Sequence, residues 1–245
     1  MKKLFFLIAF CFLSQGAFAD EAPKVGLLVM ATGKYNELGL KMIESAREHF
    51  LTSCQRTFFI FTDGEVPEAQ DVVRVQQKRL GWPHDTLKRF HVYLANQELF
   101  KDFDYLYAID ADMVFVKDVG EEVLGDLVAT RHWGFLDKMG SYCGNKKSTA
   151  YVTRKDRKEY CCGAFYGGKR EEMIKLLEVN VRNVDADLKK GVIPKWHDEG
   201  HLNRYFVDHR PTVILTPSYC FPEGWDLPFE PKLVTLVNKP ENLRK

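Results

Sequence analysis

The fold is decided by residues 105–114, which read YLYAIDADMV, an apolar run followed by two aspartates one residue apart. Successive side chains of a strand point to opposite faces, so Asp110 and Asp112 are predicted to project to the same side at the carboxyl end of a strand. Two close carboxylates are unfavourable without a cation between them, and oxygen ligands suit Mg²⁺ or Mn²⁺ shared with phosphate groups. The pattern therefore favours a metal site, and a solvated turn with two acids is the alternative.

Strand and helix patterns alternate before this run. Residues 24–30 have the pattern of a buried strand, and residues 31–34 form the loop that closes it. Apolar side chains recur at helical spacing from Tyr35 to Phe50, which predicts an amphipathic helix packed on the sheet. Further elements are predicted as strands over 57–61, 72–75 and 104–109 and as a helix over 86–99 that presents Leu87, Phe90, Val92, Leu94 and Leu99.

This order of elements predicts an α/β fold with a doubly wound sheet. Ligands of such sheets bind beyond the carboxyl ends of the strands, where residues 31–34 and 110–112 would both lie. In the less regular second half we predict a mobile loop within 140–158, a helix over 171–188, and a proline-punctuated extension from about Pro217. No boundary demands a second domain, so residues 20–245 are predicted to form a single one.

Composition favours a globular protein with small or neutral partners. The chain has 245 residues, and 35 lysines and arginines nearly cancel 34 aspartates and glutamates. The resulting net charge of +1 gives no global field that would recruit nucleic acid or an anionic membrane. We therefore expect no nucleic-acid partner.

The amino terminus has the pattern of a targeting segment. Lys2 and Lys3 precede an apolar run over 4–13, and the small-x-small sequence at 17–19 before Asp20 matches a signal-peptidase site. We expect residues 1–19 to be a signal peptide, with an uncleaved membrane anchor as the alternative. The protein would then be exported, periplasmic or secreted if bacterial, and in the secretory-pathway lumen or membrane-anchored if eukaryotic. The sequence has no Asn-x-Ser/Thr sequon, which fits a bacterial exported protein.

The cysteines indicate packing rather than metal binding. Beyond the targeting segment they occur at 54, 143, 161, 162 and 220, without the spacing of a zinc motif. An odd number leaves at least one thiol unpaired within the chain, and adjacent cysteines seldom bond to each other. We interpret all of them as packing residues.

Two further segments carry chemistry. Residues 196–203, WHDEGHLN, place two carboxylates, two imidazoles and an indole together, and the plain alternative is a helix start with Asp198 as its cap. Residues 161–168, CCGAFYGG, have small residues between aromatics that would let a ligand approach the backbone, although a tight turn uses the same glycines. Neither pattern alone identifies a function, but the ordered set of segments is much more specific.

Taken together, these segments resemble glycosyltransferase family 6, the family of the histo-blood-group A and B transferases and α1,3-galactosyltransferase. The resemblance implies a GT-A fold, with a Rossmann-like nucleotide-binding sheet flanked by helices and an acceptor-binding carboxyl-terminal part. It implies retaining transfer of galactose or N-acetylgalactosamine from a UDP-sugar to an oligosaccharide, glycolipid or glycoprotein acceptor in α1,3 linkage. The similarity runs from Met30 to about Lys239, and its carriers are residues 30–35, 61–63, 88–89, 104–106, 110–113, 160–168 and 196–203.

The resemblance assigns roles on the donor side. Asp110 and Asp112 would hold Mn²⁺ against the diphosphate, and Arg89 would hold sugar or phosphate oxygens, with an exposed helical charge as its plain alternative. Asp198 would bind hydroxyls of the donor sugar. The donor-side residues implied are Ala31, Thr32, Tyr35, Arg89, Asp110, Ala111, Asp112, Cys162, Gly163, Ala164 and Asp198, of which the first three would line the uridine site.

The resemblance also implies a catalytic residue and an acceptor side. Glu199 would face the anomeric carbon as a covalent nucleophile or as an electrostatic stabiliser of oxocarbenium character, and both roles stay open. His132 and Trp196, together with Glu199, match acceptor-side positions, and we assign the neighbouring Trp133 to the core. The competing hypotheses are an exported glycan-binding module without turnover and a retaining GT-A transferase that uses UDP-glucose.

Two differences between this chain and some of its relatives bear on the need for a metal and on the choice of donor sugar. Many bacterial members have Asn-x-Asn and need no metal, whereas this chain has both acids and resembles the metal-dependent branch, which predicts Mn²⁺. Ala164 carries a methyl group where glycine would leave room for an acetamido group, which favours UDP-galactose. Cys162 is smaller than the leucine, methionine or histidine of relatives and keeps UDP-N-acetylgalactosamine open.

Overall fold

The computed structural model describes residues 21–236, so the predicted signal peptide at 1–19 lies outside the described residues. The helices are α1 (Tyr35–His49), α2 (His84–Leu87), α3 (Arg89–Ala95), α4 (Arg170–Leu188) and α5 (His197–Asp208). The strands are β1 (Lys24–Met30), β2 (Gln55–Thr62), β3 (Val72–Gln76), β4 (Tyr105–Asp110), β5 (Met113–Phe115), β6 (Leu127–Arg131), β7 (Cys161–Lys169), β8 (Val213–Leu215), β9 (Phe221–Pro222) and β10 (Leu233–Thr235).

Seven strands form a central sheet in the order β3-β2-β1-β4-β7-β6-β8. Its pairings are parallel except for those of β7, which runs antiparallel to both β4 and β6. The predicted α/β fold with a sheet flanked by helices is thereby confirmed. A smaller sheet of order β5-β10-β9 joins the carboxyl-terminal segment to the chain that follows β4.

Helices cover both faces of the central sheet. On one face α1 contributes Met42, Ile43 and Ala46 to a buried cluster, as the predicted amphipathic stripe requires. On the other face α3, α4 and α5 form a second cluster that includes Phe90 and Leu202. Complete burial of each large apolar side chain stabilises the fold by roughly 1.5–3 kcal/mol, so the strand ends are held on a rigid base.

The predicted helix over 86–99 is interrupted. The chain forms α2, leaves helical geometry at Lys88 (φ −98°, ψ 11°), continues as α3 and ends in a 3₁₀ turn at Gln97–Phe100. Leu99, predicted on the buried stripe, is 43% exposed, and Phe100 is fully buried instead. The reason is that a 3₁₀ turn has about three residues per turn, which changes the side chain that faces the core. The interruption makes Arg89 the first residue of α3.

Other predictions for the second half are confirmed. The helix over 171–188 corresponds to α4, and from Pro217 to residue 236 the chain contains only short elements. The cysteines at 54, 143, 161, 162 and 220 are free thiols, the last four of them buried, in agreement with a packing role. No helix within residues 21–236 combines the length and apolar character needed to cross a membrane. The mobility of residues 140–158 stays a prediction.

Candidate active site

The loop over residues 31–34 lies at the carboxyl end of β1, whose neighbour β4 ends at the same level of the sheet. The loop is fixed by the end of β2. The Thr62 hydroxyl donates to the Ala31 carbonyl oxygen at 2.6 Å, and the N–H of Gly33, which has φ +60°, donates to Asp63 Oδ1 at 2.7 Å. The residues predicted to line the uridine site are brought together on this loop and the start of α1: Ala31, Thr32 and Tyr35.

The two aspartates predicted to bind a metal lie in different elements. β4 ends at Asp110, and Ala111 and Asp112 form the turn into β5, so the predicted alternation along one strand is wrong for Asp112. The turn is required because β5 leaves the central sheet to pair with β10. Burial, and then the charge of Asp110, raises the pKa of Asp112 to about 7. A partly buried, like-charged pair of this kind does not fit the alternative of a solvated turn.

Arg89 joins three elements of the site. Its Nη1 donates to Asp110 Oδ1 at 2.7 Å and, at 3.4 Å, to the Gly163 carbonyl oxygen of β7. Its Nε lies 3.0 Å from Asp198 Oδ2 of α5, an ion pair too bent to count as a hydrogen bond. Burial acts to lower the pKa of Arg89, but the charges of Asp110 and Asp198 outweigh it and raise that pKa. With a side chain 8% exposed, Arg89 is not the exposed helical charge of the alternative.

Both oxygens of the Glu199 carboxylate accept hydrogen bonds. The Tyr160 hydroxyl donates to Oε1 at 2.6 Å, and the Gly163 N–H donates to Oε2 at 2.9 Å. Burial raises the pKa of Glu199 to about 7, although these two hydrogen bonds act to lower it. The carboxylate is therefore held in one orientation and changes charge near neutral pH.

Asp198 does not cap α5. The helix follows Trp196, whose side chain makes no capping bond, and Asp198 lies within the first turn with its carboxylate directed at Arg89. Burial raises the pKa of Asp198 to about 6, and the positive charge of Arg89 opposes that rise. The capping alternative is therefore wrong for this residue, although acids in a first turn still interact favourably with the helix dipole.

Residues 161–168 belong to β7, so the tight-turn alternative is wrong for them. A Cβ atom on Gly163 would lie 3.5 Å from Glu199 Cβ and 3.7 Å from Asp198 Oδ2, so the backbone of β7 passes directly beside both acids. Cys162 is buried and Ala164 is half-buried, and both contact the cluster around α1. The β4–β7 register, continued by one residue, places Ala164 opposite Asp110.

His132 and Trp196 are the residues predicted to lie on the acceptor side. Of these two, His132 lies beside Tyr160, the hydrogen-bond partner of Glu199. The N–H of His132 donates to the Tyr160 carbonyl oxygen at 2.9 Å, and the two ring centroids are 5.9 Å apart. Burial lowers the pKa of His132 to about 4, so the ring is neutral. Trp196 lies at the surface, 43% exposed, with its Nε1 donating to Ser141 Oγ at 2.6 Å.

The sequence as a whole matches one family model. The model of glycosyltransferase family 6 matches residues 12–245. This chain belongs to glycosyltransferase family 6. The predicted family is confirmed, and the predicted glycosyltransferase activity is confirmed at the level of the family.

Relatives of this family 6 glycosyltransferase come from vertebrates and a bacterium. The chain is 29% identical to globoside alpha-1,3-N-acetylgalactosaminyltransferase 1 of Gallus gallus, over 90% of this chain and 68% of the relative. It is 31% identical to histo-blood group ABO system transferase 1 of Rattus norvegicus, over 92% and 69%. It is 26% identical to the O-antigen biosynthesis glycosyltransferase WbnI of Escherichia coli, over 82% and 89%.

The carboxylates at the end of β4 in this family 6 enzyme fit a hard divalent cation. Asp110 and Asp112 supply two neighbouring carboxylates, and Arg89 offsets one negative charge where it contacts Asp110. Within residues 21–236 no three His, Cys, Asp or Glu side chains converge on a complete protein-made metal site. Mg²⁺ and Mn²⁺ commonly take one or two carboxylates and complete their coordination with water and substrate phosphates, and Asp110 with Asp112 suits that mode.

Two residues that support the site were given no role in the sequence analysis. Asn203 Oδ1 accepts from the Cys161 N–H at 2.8 Å, and its Nδ2 donates to the carbonyl oxygens of Cys161 and Glu199 at 2.7 and 3.0 Å. Asn203 thereby joins α5 to the start of β7, and its place one turn after Glu199 was a usable signal. Tyr160 begins a segment that carries the family resemblance, but nothing in the sequence signalled its contact with Glu199, because 39 residues separate the two.

Trp133 has two kinds of contact. It is half-buried and packs against the core cluster around α1, as assigned. Its ring centroid also lies 4.5 Å from that of Trp225, which is 55% exposed, and 5.4 Å from that of His132, which stacks on it. The core assignment is therefore correct in part, since the same ring continues an aromatic surface that begins at His132.

Proposed function

We propose that this family 6 enzyme transfers galactose or N-acetylgalactosamine from a UDP-sugar to a hydroxyl group of an acceptor glycan, with retention and in α1,3 linkage. The observation that carries the proposal is the pair of contacts that the Arg89 side chain makes with Asp110 and Asp198. One buried cation contacts Asp110 on the metal side and Asp198 beside Glu199, so the diphosphate and the reacting carbon would be held at a set separation. The names of the α1,3-N-acetylgalactosaminyltransferase and ABO relatives support the sugar class and the linkage.

Asp110 and Asp112 would hold the divalent metal, which we propose to be Mn²⁺. When bound, the metal offsets the charge that develops on the departing diphosphate. The chain's own contribution on this side is to place the nucleotide. Ala31, Thr32 and Tyr35 lie on a loop fixed by β2, next to the end of β4, and would bind the uridine. A preformed loop loses little conformational entropy when the nucleotide binds.

The donor sugar would lie against the Gly163 backbone, beside Asp198 and Glu199. Asp198 would accept hydrogen bonds from sugar hydroxyls while Arg89 keeps it ionised. Glu199, held through both oxygens, would face the anomeric carbon as a nucleophile or as an electrostatic stabiliser, and a preorganised charge suits either role.

Donor choice is proposed to depend on the start of β7. Ala164 is half-buried opposite Asp110, where its methyl group would restrict the space beside the sugar's C2 substituent and favour UDP-galactose. Cys162 is small and could leave compensating room, which keeps UDP-N-acetylgalactosamine as the second donor. UDP-glucose is the alternative outside the family pattern.

The acceptor is proposed to be an oligosaccharide, glycolipid or glycoprotein that approaches from the His132 side. His132 is neutral, and because its Nδ1 accepts from the Gly134 N–H, its Nε2–H can donate one hydrogen bond; Trp196 offers an exposed aromatic face. We propose that the enzyme acts after export, in the secretory pathway, the periplasm or outside the cell. An exported glycan-binding module is the second hypothesis, and the complete set of acids at the site disfavours it.

A UDP-release assay tests this proposal directly. The full chain is incubated with UDP-galactose, UDP-N-acetylgalactosamine or UDP-glucose, with and without a galactose-terminated oligosaccharide acceptor, in Mn²⁺ buffer. We expect release that depends on the acceptor with one of the first two donors, and an α1,3-linked product on methylation analysis. Binding of the acceptor without release from any donor would support the glycan-binding module instead.

A further inference from the structure

A group of exposed lysines lies beside the acceptor end of α5. We call it the lysine rim; it consists of Lys146, Lys147, Lys189, Lys190 and Lys195. Two exposed apolar side chains, Ile193 and Trp196, lie in the same part of the chain. We propose that the lysine rim, with these two side chains, docks the enzyme on the surface of an anionic lipid bilayer.

Asp187 brings the two lysine-bearing segments together. Its carboxylate accepts from the Thr149 N–H at 2.7 Å and from the Ser148 hydroxyl, directly after the first lysine pair of the rim. Its carbonyl oxygen accepts from the N–H of Lys190 and of Val192, both at 2.9 Å. The loop that contains residues 146–147 and the end of α4 are therefore adjacent because of one buried residue.

The apolar side chains have the form found at membrane interfaces. Ile193 is 40% exposed and Trp196 is 43% exposed. Lys195 Nζ lies 4.7 Å from the centroid of the Trp196 ring, and Trp196 Nε1 is anchored on Ser141. A tryptophan with its polar edge bonded, beside lysines that extend past it, is typical of residues at the level of lipid headgroups.

The charge of this region differs from the balance of the whole chain. Residues 137–159 contain seven lysines and arginines but three aspartates and glutamates, and residues 189–196 contain three lysines and no acid. The chain as a whole has a net charge of only +1, so acidic residues elsewhere in the chain balance this local excess of positive charge. Each lysine near an anionic leaflet adds attraction that salt screens. The exposed isoleucine and tryptophan favour lipid over nucleic acid, which would offer them no apolar environment.

The lysine rim lies close to the residue proposed to be catalytic, so docking would affect how the acceptor reaches the site. Trp196 directly precedes α5, whose first turn holds Glu199, so a bilayer at the lysine rim would lie next to the acceptor side. An acceptor carried on lipid would then reach the site without leaving the membrane. This consequence rests on the proposed function, whereas the docking itself does not.

Vesicle partitioning tests the docking. The full chain is sedimented with vesicles of phosphatidylcholine alone or of equal parts phosphatidylcholine and phosphatidylglycerol. We expect partitioning into the anionic vesicles to weaken roughly fivefold for each lysine removed, so about 25-fold in the double variant Lys189→Gln, Lys190→Gln. Ile193→Ser should weaken it about threefold or more, and added salt should weaken the parent. Lys41→Gln is the control, because Lys41 is exposed on α1, on the other face of the sheet.

The other outcomes overturn the proposal. Partitioning of the double variant equal to that of the parent would show that another part of the chain, such as residues 1–19, carries any binding. A roughly fivefold loss in Lys41→Gln, as large as that expected for each lysine of the rim, would show that the binding depends on general charge and not on this surface. Salt-sensitive binding to duplex DNA that exceeds vesicle binding and ignores Ile193→Ser would make the surface a nucleic-acid site. Thermal unfolding confirms that each variant is folded, and no outcome depends on sugar transfer.

Discussion

Two groups of buried acids lie at opposite ends of the connection between α4 and α5, and they are satisfied in different ways. Asp187, 1% exposed, accepts hydrogen bonds from the Thr149 N–H and the Ser148 hydroxyl, and the neutral His201 lies 3.8 Å away. At the other end Asp198 and Glu199 have pKa values raised to about 6 and 7.

The difference separates a structural acid from a functional group of acids. Neutral donors complete the hydrogen bonding of Asp187, so it stabilises the loop and helix that it joins. Asp198 and Glu199 lie near Asp110 with Arg89 between them, and negative charge remains in excess. A group of buried acids with raised pKa values and an excess of negative charge is typical of a site that a ligand completes.

The largest expected effect is at the metal-side acids. Asp112→Ala, or removal of divalent metal by a chelator, should lower turnover roughly a thousandfold, because charge stabilisation of the departing diphosphate is lost. The unfolding midpoint should change little, since Asp112 lies in a turn. Asp102→Ala, an exposed acid before β4, is the matched control and should retain activity. Full turnover in excess chelator would remove Asp112 from the functional group.

Glu199→Gln keeps the volume of the side chain and removes its charge. We expect sugar transfer to fall roughly a hundredfold or more, with UDP binding nearly unchanged in calorimetry. Because burial raises the pKa of Glu199, the acid's contribution to stability is full below its unfolded pKa and is lost as pH rises through about 7. At pH 8 the variant should therefore be at least as stable as the parent. Glu171→Gln, exposed on α4, is the control, and an unchanged transfer rate would make Glu199 structural.

Asp187→Ala tests the other side of the comparison. It leaves the Thr149 N–H and the Ser148 hydroxyl buried without their acceptor, which should cost about 3 kcal/mol of unfolding free energy. Urea denaturation measures this loss, and Asp185→Ala, an exposed acid two residues earlier, should cost much less. Turnover per folded molecule should stay within about threefold of the parent. A loss of turnover without a loss of stability would erase the distinction between the two groups.

Tyr160→Phe is expected to act through the pKa of Glu199. The hydroxyl of Tyr160 stabilises the ionised carboxylate, so its removal should raise that pKa above about 7. If the ionised form is the active one, the acidic limb of the kcat profile should move to higher pH, with roughly tenfold lower turnover at neutral pH. The control is Tyr142→Phe, since Tyr142 packs edge-on against Tyr160 without bonding Glu199. An unmoved limb would show that Tyr160 does not position the charge.

The smallest expected effect concerns donor choice. Ala164→Gly should raise the ratio of kcat/KM for UDP-N-acetylgalactosamine over UDP-galactose about fivefold, near the lower end for one methyl-sized difference. The comparison uses a single acceptor for both donors. Ala129→Gly, at a buried position of β6, is the control for a general loosening of the sheet. A strong preference of the parent for UDP-N-acetylgalactosamine would show that Ala164 does not set donor choice.

The sequence predicted the elements that position the site. The strand pattern over 24–30 and the helical stripe from Tyr35 appear at those places, because local periodicity reports which side chains face the core. It also identified the family and most of the residues that meet near Arg89. The sequence-based prediction failed where the same local pattern is compatible with two structures. At Lys88 the predicted helix is interrupted, and at Asp112 a turn replaces the predicted strand.

Only the tertiary structure decided how these residues contact one another. Arg89 and Asp110 are 21 residues apart, and Tyr160 and Glu199 are 39 apart, so their hydrogen bonds depend on how the sheet and helices are arranged. The antiparallel direction of β7 places Gly163 between β4 and α5, and periodicity alone carries no information on strand direction. The residue types at the site were therefore readable in the sequence, whereas their partners were not, because each partnership is formed by elements distant along the chain that meet only in the folded sheet.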